Sequence, residues 1–244
     1  MKIYNFRSSN FSSRKSAKKI SSIIIHYTGM KSFDQAFQRL IDERSEVSSH
    51  YLISRSGKVF KLVEHKYAAW HSGISKWANF VNLNKNSIGI ELENKGHQYG
   101  YQNYTNKQIL SLIKLLKILK SKFNINNKNI IGHSDIAPDR KIDPGEKFPW
   151  KKLSEKNLSI WHCLNDNFLK KYRFKRIIIN KKLINKLISK MAKKLGYSTV
   201  FSGKSLNKNF IKAFQRRFRQ KNINGIFDQE CLLILKNLNN TLNS

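Results

Sequence analysis

Short apolar runs rich in β-branched residues alternate with helix-patterned segments from Ile20 to His133, and this alternation restricts the fold more than any other feature. ISSIIIHYTG (20–29) reads as a buried strand closed by Gly29, with His26 near its C-terminal end. SFDQAFQRLIDER (32–44) sets Phe33, Ala36, Phe37 and Leu40 at helical spacing behind a Ser-x-x-Gln start. HYLISRSGKVFKLV (50–63) is two strand-like runs around Ser56-Gly57, a hairpin pattern. SIGIELEN (87–94) alternates Ile88, Ile90 and Leu92 with Gly89, Glu91 and Glu93, which places both acids on one strand face. A long amphipathic helix is expected over 105–123, and KNIIGH (128–133) forms a further strand with His133 at its tip. Such an order predicts an α/β (α+β) domain, a mixed central sheet flanked by helices.

After Trp150 the texture changes. Residues 151–175 are mixed and basic, and three helical patterns follow. The segment 181–197 is expected to place Leu183, Leu187, Met191 and Leu195 on one face, with Gly196 as C-cap. Segments 210–220 and 229–238 supply two more helices around an Asn-Gly turn. A chain of 244 residues accommodates one sizeable core and a small second one. The expected division is a catalytic domain at 1–155, a linker at 156–178 and a small all-α three-helix domain at 179–240.

The net charge of +32 favours anionic partners. The lysines are nevertheless scattered among asparagines and isoleucines, and no nucleic-acid motif accompanies them, so solvated faces are the simpler reading and no nucleic-acid partner is expected. Anionic envelope polymers are another attractor. Cys163 and Cys231 have no neighbours at metal-ligand spacing and read as small apolar residues. The basic, polar start carries no apolar signal core, and no run is long enough to span a membrane. On that reading the chain is a cytoplasmic monomer, with the cell envelope as the alternative.

All three prolines fall within residues 138–149, two of them in GHSDIAPDRKIDPG (132–145). That stiffened segment carries His133 at one end and Asp143 at the other. Together with His26 these are two imidazoles and a carboxylate at element ends, a donor set that suits a catalytic zinc with one position open to water. Residue types alone leave a second reading open, a core histidine with Asp143 capping a turn, and no HExxH motif decides between them. A zinc hydrolase also needs a base and an oxyanion donor. Glu91 and Glu93 compete for the first role. Lys141, two residues before Asp143 in an extended segment, offers the second.

IIIHYTG, VSSHYLISRSGKVFKLV, AAWHSG, NSIGIELEN and GHSDIAPDRKIDPG, in that order, closely resemble the zinc-dependent N-acetylmuramoyl-L-alanine amidases, over residues 5–155. The superfamily also holds phage amidases and animal peptidoglycan recognition proteins. The resemblance implies a mixed sheet with a substrate groove over one zinc. It further implies His26, His133 and Asp143 as ligands, Glu91 as the catalytic acid/base and Lys141 as the oxyanion helper. Trp70 and His71 would belong to the groove wall, as substrate contacts or as core packing. His50 reads as structural, and His65, His97 and His162 give no signal. In the C-terminal region Phe214, Gln215, Phe218, Asn224, Gly225 and Asp228 resemble a peptidoglycan-binding three-helix module, with Asn224 where aspartate is usual; a generic helical add-on is the alternative. The implied activity is hydrolysis of the amide between N-acetylmuramic acid, or its 1,6-anhydro form, and L-alanine in peptidoglycan or muropeptides. A non-catalytic recognition protein is the competing reading.

Overall fold

A computed structural model describes residues 1–14, 19–198, 200–203 and 205–242. In chain order the strands are β1 (Ile3–Asn5), β2 (Phe11–Ser13), β3 (Ser22–Tyr27), β4 (Tyr51–Ile53), β5 (Val59–Lys61), β6 (Tyr67–Ala69), β7 (Lys76–Trp77), β8 (Phe80–Val81), β9 (Ser87–Leu92), β10 (Ile130–Gly132), β11 (Phe201–Ser202) and β12 (Ser205–Leu206). The helices are α1 (Phe33–Ile41), α2 (Asn106–Phe123), α3 (His133–Ile136), α4 (Trp150–Ser154), α5 (Asp166–Lys170), α6 (Lys181–Leu195), α7 (Lys208–Phe218) and α8 (Gln229–Thr241).

Six strands form one sheet in the order β1-β5-β4-β9-β3-β10. The β4–β5 pair is antiparallel and the other pairs are parallel, so the sheet is mixed, as the strand–helix alternation predicts. Gly57 makes the hairpin turn with φ of +84°, a conformation that costs a side-chain-bearing residue most. Ser32 caps α1 by accepting from the Gln35 amide, and Thr105 caps α2 by accepting from Gln108.

The two faces of β3 and β9 bury different partners. Ile23, Ile25, Ile88 and Ile90 pack against the α2 residues Leu112, Leu115, Leu116 and Leu119. Each such side chain contributes about 1.5–3 kcal/mol by leaving water. Ile24 points the other way and joins Trp77, Ile131 and Ile136 in a cluster continuous with α6, α7 and α8. Glu91 shares that side of the sheet with Ile24 and His26 and is only partly exposed. Residues 156–178 contain α5 and bury Leu158 and Leu169.

Two local expectations change. His133 is not a bare strand tip but the first residue of the short helical turn α3. In α6 the buried stripe is Ile184, Ile188, Met191, Ala192 and Leu195, whereas Leu183 and Leu187 face outward. Both stripes have helical spacing, so periodicity alone cannot choose between them; the isoleucine stripe is the one that meets α8.

Candidate metal centre

Strand register brings the first two functional groups together. His26 on β3 and Glu91 on β9 are direct neighbours in parallel pairing, so their side chains share one face near the strand ends. β10 ends beside them, and α3 begins with His133. The chain then returns through Pro138 to Asp143, whose carbonyl accepts from the Ser134 amide. His26 Nδ1 lies 2.9 Å from His133 Nδ1 and 3.0 Å from Asp143 Oδ2, and His133 Nδ1 lies 3.1 Å from the same oxygen. All three residues are buried.

Hydrogen-bond polarity, traced inward from fixed ends, says what those atoms are. His133 Nε2 faces the Ser72 carbonyl at 3.1 Å, so it carries the proton and leaves Nδ1 bare. Ser87 Oγ donates to the Leu83 carbonyl at 2.7 Å, so it accepts from His71 Nε2 at 3.2 Å. His71 Nδ1 is then bare and accepts from His26 Nε2 at 3.0 Å, which leaves His26 Nδ1 bare too. Burial holds His26 neutral, lowering it to about 4, with His133 adding to the effect against Asp143. Two lone pairs and an anionic oxygen thus converge with no proton among them. That fits a cation, and outward-facing Nε2 donors are what orient metal-bound imidazoles.

The same centre lines a cleft of about 440 Å³ with Glu91, Lys141, Trp70 and His71. Glu91 Oε2 is buried and has no hydrogen-bond partner among the described residues. Burial pushes its carboxyl up to about 8, with the charge of Asp143 adding to the rise and Lys141 opposing it. Glu93 is elsewhere: its Oε2 accepts from the Arg55 amide at 2.7 Å, outside the cleft. His71 is committed through both ring nitrogens, to His26 and Ser87. His50 accepts from the Gly89 amide through Nδ1 and braces β4 against β9.

Several contributors carried no signal in the sequence. A Cβ on Gly89 would stand 2.4 Å from the His71 ring, so the glycine in GIE makes the recess that ring occupies. Arg140 donates to the Ile74 carbonyl at 2.6 Å and ties the loop that supplies Ser72 to the returning segment. Asp135 accepts from the Gly132 amide at 2.8 Å, from Tyr197 Oη at 2.6 Å and from Arg217 at 2.8 Å. A glycine in a strand and an aspartate two residues after His133 were the only available hints, and each has many commoner explanations.

Comparison with known proteins puts this geometry in context. The profile of the family described as N-acetylmuramoyl-L-alanine amidase matches residues 16–146. N-acetylmuramoyl-L-alanine amidase AmiD of Escherichia coli (strain K12) is 39% identical over 155 residues, covering 59% of this chain and 55% of AmiD. The chain thus spans about half the length of that relative. The 1,6-anhydro-N-acetylmuramyl-L-alanine amidase AmpD of Haemophilus influenzae is 34% identical over 164 residues, 60% of this chain and 87% of AmpD. Among solved structures, AmpDH3 from Pseudomonas aeruginosa in complex with anhydromuramic pentapeptide superposes with a TM-score of 0.77 at 28% identity, covering 96% of this chain and 95% of that one. The complex of E. coli AmiD with an anhydro-N-acetylmuramic acid peptide substrate gives 0.76 at 30% identity, covering 94% and 90%.

Proposed function

This chain belongs to the N-acetylmuramoyl-L-alanine amidase family, and on that footing we propose that it hydrolyses the amide between an N-acetylmuramoyl or 1,6-anhydro-N-acetylmuramoyl residue and L-alanine. The observation that carries the reading is one cleft holding three convergent metal-type donors and a buried carboxylate oxygen with no partner among the described residues.

His26 Nδ1, His133 Nδ1 and Asp143 would hold one zinc ion, whose chemistry is to polarise a carbonyl and to lower the pKa of water toward ~7. Glu91 Oε2 takes the proton of the attacking water and returns it to the alanine nitrogen as the C–N bond breaks. A carboxyl can serve as the base in the first half of that transfer and as the acid in the second. Lys141 sets its positive charge beside the carbonyl oxygen while negative charge builds there. Trp70 packs on the sugar or peptide. His71 lines the cleft but acts chiefly by orienting His26.

The chain would act as a monomer on muropeptides or on the intact wall. The α6–α8 region resembles a glycan-binding module. Purified protein incubated with intact sacculi and with soluble anhydro-muropeptide tests the reading, with released alanine-terminal peptides measured by mass. Release from either substrate is expected. Cleavage of soluble fragments alone goes with recycling in the cytoplasm, and release from sacculi goes with the envelope. Substrate binding without release from either would make the chain a recognition protein instead.

A further inference from the structure

The outward stripe of α6 belongs to a larger surface. Ile178 and Ile179 precede the helix, at 89% and 50% exposure, and Leu183, Leu187 and the nearby Phe174 are exposed as well. Ile184, Ile188 and Met191 already fill the inward side, so these five side chains are surplus to the core. Clustered exposure of large apolar groups marks an interaction site more often than scattered exposure does.

The charge around them has one sign. The sequence holds no Asp or Glu between Asp166 and Asp228. Lys175, Arg176, Lys181, Lys182, Lys186 and Lys190 are exposed among or beside the apolar residues. The acids contributed by the packed helix α8 and its cap do not offset them. Asp228 and Glu230 are buried, and Arg219 and Arg173 hold them at 2.6 Å. Asp166 is paired with Lys221.

We propose that residues 174–187 are a docking face for an anionic lipid bilayer. A nucleic acid or anionic polysaccharide would match the lysines but leave the isoleucines and leucines in water. A bilayer interface takes both, the apolar side chains at the acyl boundary and the ammonium groups at the headgroups. The helix lies along such a surface and does not cross it: no helix among the described residues is long and apolar enough to span a membrane.

Cosedimentation of the full chain with vesicles tests this. Binding to an equal mixture of phosphatidylglycerol and phosphatidylcholine is expected to exceed binding to phosphatidylcholine alone by at least about tenfold and to weaken with salt. Replacing Ile178→Ser with Ile179→Ser should lower binding to the anionic vesicles about tenfold, and Leu183→Ser with Leu187→Ser should do likewise. These side chains are exposed, so both variants should melt as the wild type does; if one does not, the other carries the test. Absence of binding to anionic vesicles overturns the proposal. So does binding that the serine variants leave unchanged, which would reduce the contact to charge alone. Sedimentation velocity showing a dimer that the same substitutions abolish would assign the face to a second copy of the chain.

Discussion

At the scale of single residues, the assignment rests on Glu91 Oε2 being buried with no partner among the described residues, while Glu93 is spent on the Arg55 amide. Glu91→Gln is therefore expected to retain metal while losing roughly 10²–10⁴-fold in turnover, measured by peptide release. Glu93→Gln should cost little activity. The same carboxyl predicts a pH effect on stability. Its folded pKa is raised to about 8 from an unfolded value near 4.5, so the folded chain holds a proton that the unfolded chain has lost. Stability is then present at low pH and declines as pH rises through that window, by up to about 1.4 kcal/mol per unit. Denaturant midpoints of chelated wild type and Glu91→Gln should diverge from pH 4.5 to 8 and run parallel above it. The sequence made His26, His133, Asp143, Glu91 and Lys141 visible as reactive types at element ends, but reactive type is a property of one residue. The tautomer of His26 depends on Ser87 and His71, which lie far from it in sequence, and no local pattern records such a relay.

At the scale of elements, strands and helices were legible because buried β-branched runs and capped amphipathic segments are local patterns. Which stripe of a helix faces inward is not local. Leu183, Leu187, Ile184 and Ile188 all satisfy helical spacing in α6, and only packing against α8 selects the isoleucines. Gly89 shows the same limit: its reason is the His71 ring delivered by another segment. Gly89→Ala should displace that ring and loosen His26, lowering metal affinity about 10–100-fold in competition with a chromophoric chelator. Unchanged affinity would mean that His71 does not hold the ligand in place.

For the whole molecule, the C-terminal helices do more than sit beside the sheet. Arg217 on α7 is fully buried, stacks over Trp150 at 4.6 Å, donates to the Ile130 carbonyl at 3.1 Å, and holds Asp135 two residues after His133. Arg217→Met leaves Asp135 buried without its countercharge, with only the Gly132 and Tyr197 hydrogen bonds, and should destabilise the fold by about 3–5 kcal/mol while weakening metal retention. Adding Asp135→Asn should recover much of the stability, measurable by thermal melting. A resemblance to a separable module was legible in the sequence, but this coupling was not, since it joins residues 82 positions apart. The central claim is that the His26–His133–Asp143 cluster holds the zinc of a hydrolase, and one titration addresses it. Chelated protein is given zinc in steps, and cleavage of a defined anhydro-muropeptide is followed. The account predicts no cleavage at the start, a rate that rises to a plateau at one equivalent per chain, and no rise for His133→Ala. Full activity in the chelated protein, or zinc-restored activity in His133→Ala, would contradict it.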